Sequence, residues 1–263
     1  MVVTPPSVGL WHDEKHRYYW NGEGPLTSIT TAQKALDKPA LVGWAKRETA
    51  ACAVRNLDML AEMVKSGGPE SAVAWLKNIP DYQRNTAANL GTRIHLLAEK
   101  LGQKESPEVL PTEEPYVEQY RIFLNQYQPE VLRSEAMVCS LEHRYAGTGD
   151  LWARFPKLGV GLIDIKTGSG VYPDTALQLA GLKYAEFMGW PDDPKRYPIP
   201  ESDFCAVLHL QPDTFELVPY DVTADTFEQF LRCLRLYEWL QGPARRVMQQ
   251  PIPVPQEETL WAA

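Results

Sequence analysis

The sequence predicts an α/β fold: a mixed central sheet flanked by helices, with a largely helical N-terminal section. Two observations carry this. Up to residue 127 the apolar residues recur mostly at helical spacing, and from residue 134 the pattern alternates between strand-like runs and single helices. Composition allows a real core, since the 263 residues are 44% hydrophobic and 23% charged with no biased tract.

Residues 8–21 read as two short strands, Val8–Asp13 and His16–Gly22, joined by a charged turn. Thr27, Ser28 and Thr30 offer caps for a short helix near 31–37. A long helix is expected over 40–65, with Leu41, Trp44, Val54, Leu57, Leu60 and Val64 roughly in register and Pro39 in its first turn. Gly67-Gly68-Pro69 ends it. A helix over 69–77 should break at Ile79-Pro80 and be followed by another over 81–101, striped by Leu90, Ile94, Leu97 and Leu101. Thr112 caps a helix to about 127. Residues 134–143, 145–155 and 160–167 read as strands, the last an apolar run. Asp174 caps a helix over 174–188. Two strands, FCAVLHLQ and FELVPYDV, form a hairpin about Pro212-Asp213, and 224–249 is helical. The expected division is 1–80 for the N-terminal hairpin and helices packed on the core, 81–249 for the core, and 250–263 for a Pro-rich tail.

Net charge is −8, which argues against a protein that coats nucleic acid by bulk charge. The four cysteines, Cys52, Cys139, Cys205 and Cys233, are far apart and form neither a disulfide framework nor a C-x-x-C metal site. The N-terminus lacks the layout of a signal peptide, and no apolar run reaches membrane-spanning length, so a soluble intracellular protein without membrane attachment is expected.

Four local patterns bear on chemistry. Asp164 and Lys166 lie two apart in a strand and share one face, in an apolar context where a charge is costly unless paired or bound to metal. An edge-strand ion pair accounts for them equally well. Gly147-Thr148-Gly149-Asp150 reads first as a turn. Yet Asp150 stands fourteen residues before Asp164, one strand–turn–strand step away, and two such carboxylates can share a hard divalent cation. His95 and Glu99 are four apart on one helix face; alone, they read as an exposed polar pair. Gln178 and Tyr184 follow on the next helix, where solvent and core are the plain readings.

The order of these patterns is more specific than any one of them. Helical G-T-x-x-H-x-x-x-E, Glu135 in a strand, G-x-G-D, an apolar strand ending D-I-K-T, then helical Q-L-A-G-L-K-Y: over 85–190 this resembles the RecB-type branch of the PD-(D/E)XK nucleases. It is most similar to phage-encoded and CRISPR-associated RecB-like exonucleases. Residues 28–50 resemble the opening helices of the phage enzymes.

The resemblance implies a restriction-endonuclease-like PD-(D/E)XK core and a metal-dependent DNA exonuclease that processes ends for recombination. It implies that His95, Asp150, Asp164 and the Ile165 backbone carbonyl bind Mg²⁺ or Mn²⁺, as one or two ions. Asp150, Asp164, Lys166, Gln178 and Tyr184 become the catalytic set, with Glu99 and Glu135 as acidic support. Many CRISPR-associated relatives carry an iron–sulfur cluster; the scattered cysteines here argue against one. DNA is the implied partner, with a single-strand annealing or recombination protein beside it, in the cytoplasm of a bacterial host if the chain is phage-encoded. Arg93, Lys100, Arg144, Arg154 and Lys183 are candidate phosphate contacts, each equally an ordinary surface charge. Trp152 could stack on a base, though core packing suits it better. A structure- or site-specific endonuclease, or an inactive DNA-binding scaffold, are the alternative readings. Residues 38–104 hold ten basic and six acidic residues, while 190–263 hold six and twelve. The expectation is therefore a positive groove on an otherwise acidic body.

Overall fold

The computed structural model describes residues 6–252. The chain opens with an antiparallel meander, β1 (Leu10–His12), β2 (Tyr18–Trp20) and β3 (Glu23–Ser28). Asp13 makes the expected charged turn: its carboxylate accepts from the Lys15 and Arg17 amides and the Arg17 guanidinium. β3 occupies a stretch whose Gly and Pro content reads as loop. Its end pairs in parallel with a later strand, a contact that local sequence does not announce. Ser28 then caps α1 (Ile29–Ala32) by accepting from the Thr31 amide at 3.1 Å.

The long helix expected over 40–65 is two helices, α2 (Pro39–Arg55) and α3 (Leu57–Gly67). Asn56 divides them; its side-chain amide takes the Cys52 carbonyl at 2.8 Å and so competes with the helical ladder. The opposite holds at Pro80. α4 (Pro69–Gly102) runs through it as one helix of 34 residues. A proline removes only one N–H from the ladder, and α4, on which α2 and α3 pack, continues past it. The boundary expected at residue 80 therefore falls inside a helix.

α5 (Glu114–Tyr127) is capped at Glu113 rather than Thr112. Three antiparallel strands follow, β4 (Glu130–Ser140), β5 (Tyr145–Phe155) and β6 (Gly159–Lys166). The Gly147–Asp150 segment is strand interior, not a turn. α6 (Thr175–Lys183) is shorter than the expected 174–188. Phe187 and Met188, which fit a continuing helix, instead form β7 (Phe187–Trp190) on the free edge of β4, joined by β8 (Asp193–Tyr197). Both side chains are buried in that arrangement, so strand pairing wins over the local register. β9 (Phe204–Leu210) lies parallel to β6, and β10 (Phe215–Tyr220) returns antiparallel to β9. α7 (Ala224–Gln241) starts at a Thr223–Thr226 capping box and ends at Gly242-Pro243, earlier than the expected 249, with a 3-10 turn over Pro243–Arg246. Residues 253–263 of the expected Pro-rich tail lie outside the described residues.

Among the described residues the ten strands form one mixed sheet. Its two faces separate by strand periodicity. Trp152, Leu162 and Cys205 pack under α6 and α7 with Ile29, Leu179 and Phe230. Leu151, Ile163, Ile165 and Leu208 pack under α4 and α5 with Ile94, Leu97 and Phe123. Trp152 is thus core and has no surface for base stacking. α2 and α3 pack on α4 rather than the sheet, leaving Leu41, Val54, Leu57 and Val64 exposed. Among the described residues no helix is long and apolar enough to cross a membrane.

Candidate metal centre at a fork in the sheet

The site forms where β5 changes partners. At Tyr145 and Ala146 its outer edge pairs with β3; from Leu151 onward that edge pairs with β6. Between them the β5–β6 ladder is open. Beyond the Leu151–Ile163 pair, Ile165 gives its amide hydrogen not to a β5 carbonyl but to Asp150 Oδ2, at 2.6 Å. A residue's N–H and C=O point to the same edge of a strand, so the Ile165 carbonyl faces this fork as well.

The opening lets groups from both faces of the sheet meet. From the α4 side comes His95, whose Nδ1 lies 3.4 Å from Asp150 Oδ1 and 3.6 Å from Glu135 Oε1. His95, Glu135 and Asp150 can each offer one ligand atom, all within 4.8 Å of one another. Glu135 reaches the cluster from an unusual backbone: its φ of 45° is left-handed, inside β4. A non-glycine residue pays about 1–2 kcal/mol for that conformation.

From the α6 side come Asp164, Lys166 and Gln178. Asp164 is 1% exposed. Its Oδ1 accepts from Lys166 Nζ at 2.9 Å and from Gln178 Nε2 at 2.7 Å. Its Oδ2 lies 2.7 Å from the same ammonium but outside hydrogen-bond geometry, and among the described residues it has no other partner. That ammonium gives the buried carboxylate its counter-charge, so Asp164 and Lys166 form an ion pair closed by one aligned hydrogen bond.

Electrostatics couple the two halves. Burial would lower the His95 pKa, but Asp150 and then Glu135 more than reverse this and hold it at about 10. Burial pushes Asp164 up to about 6, with Asp150 adding to it and Lys166 opposing. Burial disfavours the Lys166 ammonium, yet Asp164 and Asp150 hold its pKa above the ordinary lysine value. Burial likewise raises the Glu135 pKa against the pull of His95, with the charges of Asp150 and Glu99 adding to the rise. Asp150 resists its own burial: the His95 charge keeps it ionised below the usual carboxylate range.

The expected site residues therefore divide. His95, Glu135, Asp150, Ile165, Asp164, Lys166 and Gln178 converge. Glu99 stands one turn from His95, accepting from Gln103 at 3.3 Å. Tyr184 does not join: six residues along a helix is well round from Gln178, and its ring stacks on Phe227 at 5.2 Å against the apolar side. Two candidate phosphate contacts are already engaged. Arg93 makes a two-pronged pair with the buried Glu113 at 2.8 and 3.2 Å, and Lys183 donates to the Val222 carbonyl at 3.2 Å. Arg154 is exposed, 3.7 Å from Glu130. Arg144 is exposed and Lys100 half-buried.

Some contributors were not singled out from sequence. Tyr18, from the N-terminal meander, bonds the Thr148 hydroxyl at 2.9 Å. Thr148 lies inside the G-T-G-D pattern, which is the one local signal for that contact. His209 on β9 stands opposite Lys166 in register.

No protein-family model and no curated protein matches the chain. The reading of this site therefore rests on its geometry and on the sequence patterns above.

Proposed function

We propose that the chain is a metal-dependent deoxyribonuclease built on a PD-(D/E)XK core of the RecB type, acting as an exonuclease in DNA end processing. The observation that carries this reading is the pairing of Asp164 with Lys166 on one face of a buried strand, beside the His95–Glu135–Asp150 cluster at the fork.

The residues fit a divalent cation. His95, Glu135 and Asp150 would hold it, with the Ile165 carbonyl at the same fork and Asp164, ion-paired with Lys166, beside it. Oxygen-rich sets suit Mg²⁺ and Mn²⁺, and the imidazole favours Mn²⁺. The ion, when bound, polarises a phosphodiester and makes hydroxide accessible near neutral pH. Lys166 contributes a fixed positive charge beside the reacting phosphate, where developing negative charge is stabilised most effectively in a water-poor site. Gln178 holds Asp164 and lies 3.5 Å from Lys166 Nζ, fixing the pair's orientation. Glu135 enters as a ligand, a stronger role than acidic support. Of the basic excess of residues 38–104, half comes from Lys38 and Lys104 beside the helices and the rest from α2 and α4, the latter carrying His95, while α3 is net acidic; this excess supports a positive approach for DNA. A recombination or annealing protein as partner, and a cytoplasmic setting, belong to the same proposal.

The test is hydrolysis of end-labelled linear DNA beside covalently closed circles, with Mg²⁺, Mn²⁺ or EDTA. Metal-dependent loss of linear DNA with circles intact is the expected result. Cleavage of circles would make it an endonuclease. Undiminished hydrolysis by purified Asp164→Ala or Lys166→Ala would overturn the site.

A further inference from the structure

Lys166 is the last residue of β6, and the chain that follows, Thr167-Gly168-Ser169-Gly170, has little to hold itself in place. It is held from outside. β6 and β9 are parallel, with Lys166 opposite His209, so the two side chains stand on the same face. The His209 imidazole is buried, and its Nε2 lies 2.8 Å from the Gly168 carbonyl oxygen. Gln211 Nε2 lies 2.8 Å from the same oxygen.

Gln211 Nε2 is also 2.9 Å from the Leu210 carbonyl and 2.9 Å from His209 Nε2. An amide nitrogen carries two hydrogens, and a carbonyl oxygen can only accept. The 2.8 Å contact with Gly168 is therefore a hydrogen bond when His209 Nε2 carries the hydrogen, the tautomer in which Gln211 gives its two hydrogens to the Gly168 and Leu210 carbonyls. The Gly168 carbonyl then accepts two bonds, one for each lone pair. Farther along, Tyr220 donates to the Tyr172 carbonyl at 2.9 Å, and Gln33 donates to the Asp174 carbonyl at 2.9 Å. Thr167 rests on Gly91 of α4, where a Cβ would come within 3.3 Å of its Oγ1.

We propose that His209 and Gln211 are positioning residues: by gripping the Gly168 carbonyl they fix the backbone just beyond Lys166 and so aim its ammonium at Asp164 and the reacting phosphate. Neither residue touches the metal cluster. The kinetic consequence rests on the nuclease reading; the grip on the loop does not.

The experiment uses the full chain, with His209→Ala, Gln211→Ala and His209→Gln, linear duplex DNA and Mn²⁺. In His209→Ala, kcat should fall about 10- to 100-fold while KM stays within about twofold, as expected when a catalytic group is misplaced rather than lost. Mn²⁺ affinity by calorimetry should not change. His209→Gln, which can return an N–H to Gly168, should recover most of the loss. Nitrogen-15 relaxation reads the loop directly: order parameters at Gly168 and Gly170 should drop from about 0.85 toward 0.6 in His209→Ala. Wild-type kcat in both alanine variants, or unchanged order parameters, overturns the proposal. If the wild type hydrolyses no DNA, the nuclease reading fails, and the relaxation data alone decide the grip.

Discussion

The Ile165 amide donates to Asp150 Oδ2 at 2.6 Å, where β6 leaves β5. One carboxylate thus closes the open end of a backbone ladder and faces His95 with its other oxygen. These two roles can be separated. Asp150→Asn keeps an acceptor for the amide but loses the charge; Asp150→Ala loses both. Both variants should lose DNA hydrolysis and Mn²⁺ binding. Urea denaturation of the metal-free proteins should show Asp150→Ala less stable than Asp150→Asn by about 1–3 kcal/mol, the cost of leaving a buried amide without a partner. Equal stabilities would mean that the amide finds another acceptor.

Glu135 offers a sharper separation, because its backbone is left-handed. In an ordinary strand alanine is more stabilising than glycine. At φ 45° the order should invert: Glu135→Gly should exceed Glu135→Ala by about 1 kcal/mol in metal-free stability. Both should weaken Mn²⁺ binding at least tenfold by calorimetry, since losing a carboxylate ligand should cost no less than losing a group that only orients one. Alanine more stable than glycine would show that the position relaxes and stores no strain.

Much of this site is readable in sequence because buried strands do not tolerate idle charge. Asp164 and Lys166 stand out against GVGLI, and the interval back to Asp150 matches one strand-turn-strand step. His95 is different: its helix register alone reads as an exposed polar pair, and only the order of the patterns around it singles it out. Other features depend on contacts that local sequence does not encode. Glutamate carries no mark of a left-handed backbone, as glycine or asparagine would, so Glu135 is visible only as an acid in a strand. β7 is invisible because Phe187 and Met188 satisfy a continuing helix as well as they satisfy the edge of β4. His209 reaches the site through parallel pairing of β6 with β9, across a helix and two strands.

The pH dependence follows from His95. Its pKa in the fold, about 10, is above the ordinary 6.5. Protonated His95 therefore stabilises the metal-free fold fully below about pH 6.5, and that contribution is lost as pH rises through about 10. Metal needs the neutral imidazole, so binding must expel the proton. Calorimetry should show Mn²⁺ affinity rising about tenfold per pH unit between roughly pH 7 and 9, with one proton released. Thermal melts should show the metal-free protein losing stability over the same range. In His95→Gln both slopes should flatten. A pH-independent affinity in the wild type would remove His95 from the ligand set.

Gly149 tests why the strand that carries Asp150 contains glycines at all. The pattern G-T-G-D suggests a turn, but both glycines are interior to β5. A Cβ at Gly147 would come within 2.5 Å of Ile29 Cδ1, and one at Gly149 would overlap the far edge of the Trp152 indole. Trp152 is fully buried under α6 and α7 and cannot swing away. The glycines are thus absences that admit large neighbours, and Asp150 follows directly after the second. Gly149→Ala should cost about 1–3 kcal/mol, the range for overpacking a filled core. The strain should also displace Asp150, so kcat should fall by about 100-fold while the protein remains folded at 25 °C. Trp152→Phe removes the overlapping ring edge; added to Gly149→Ala, it should restore part of both losses. A double variant no better than the single one would mean that Gly149 serves the backbone, not the indole.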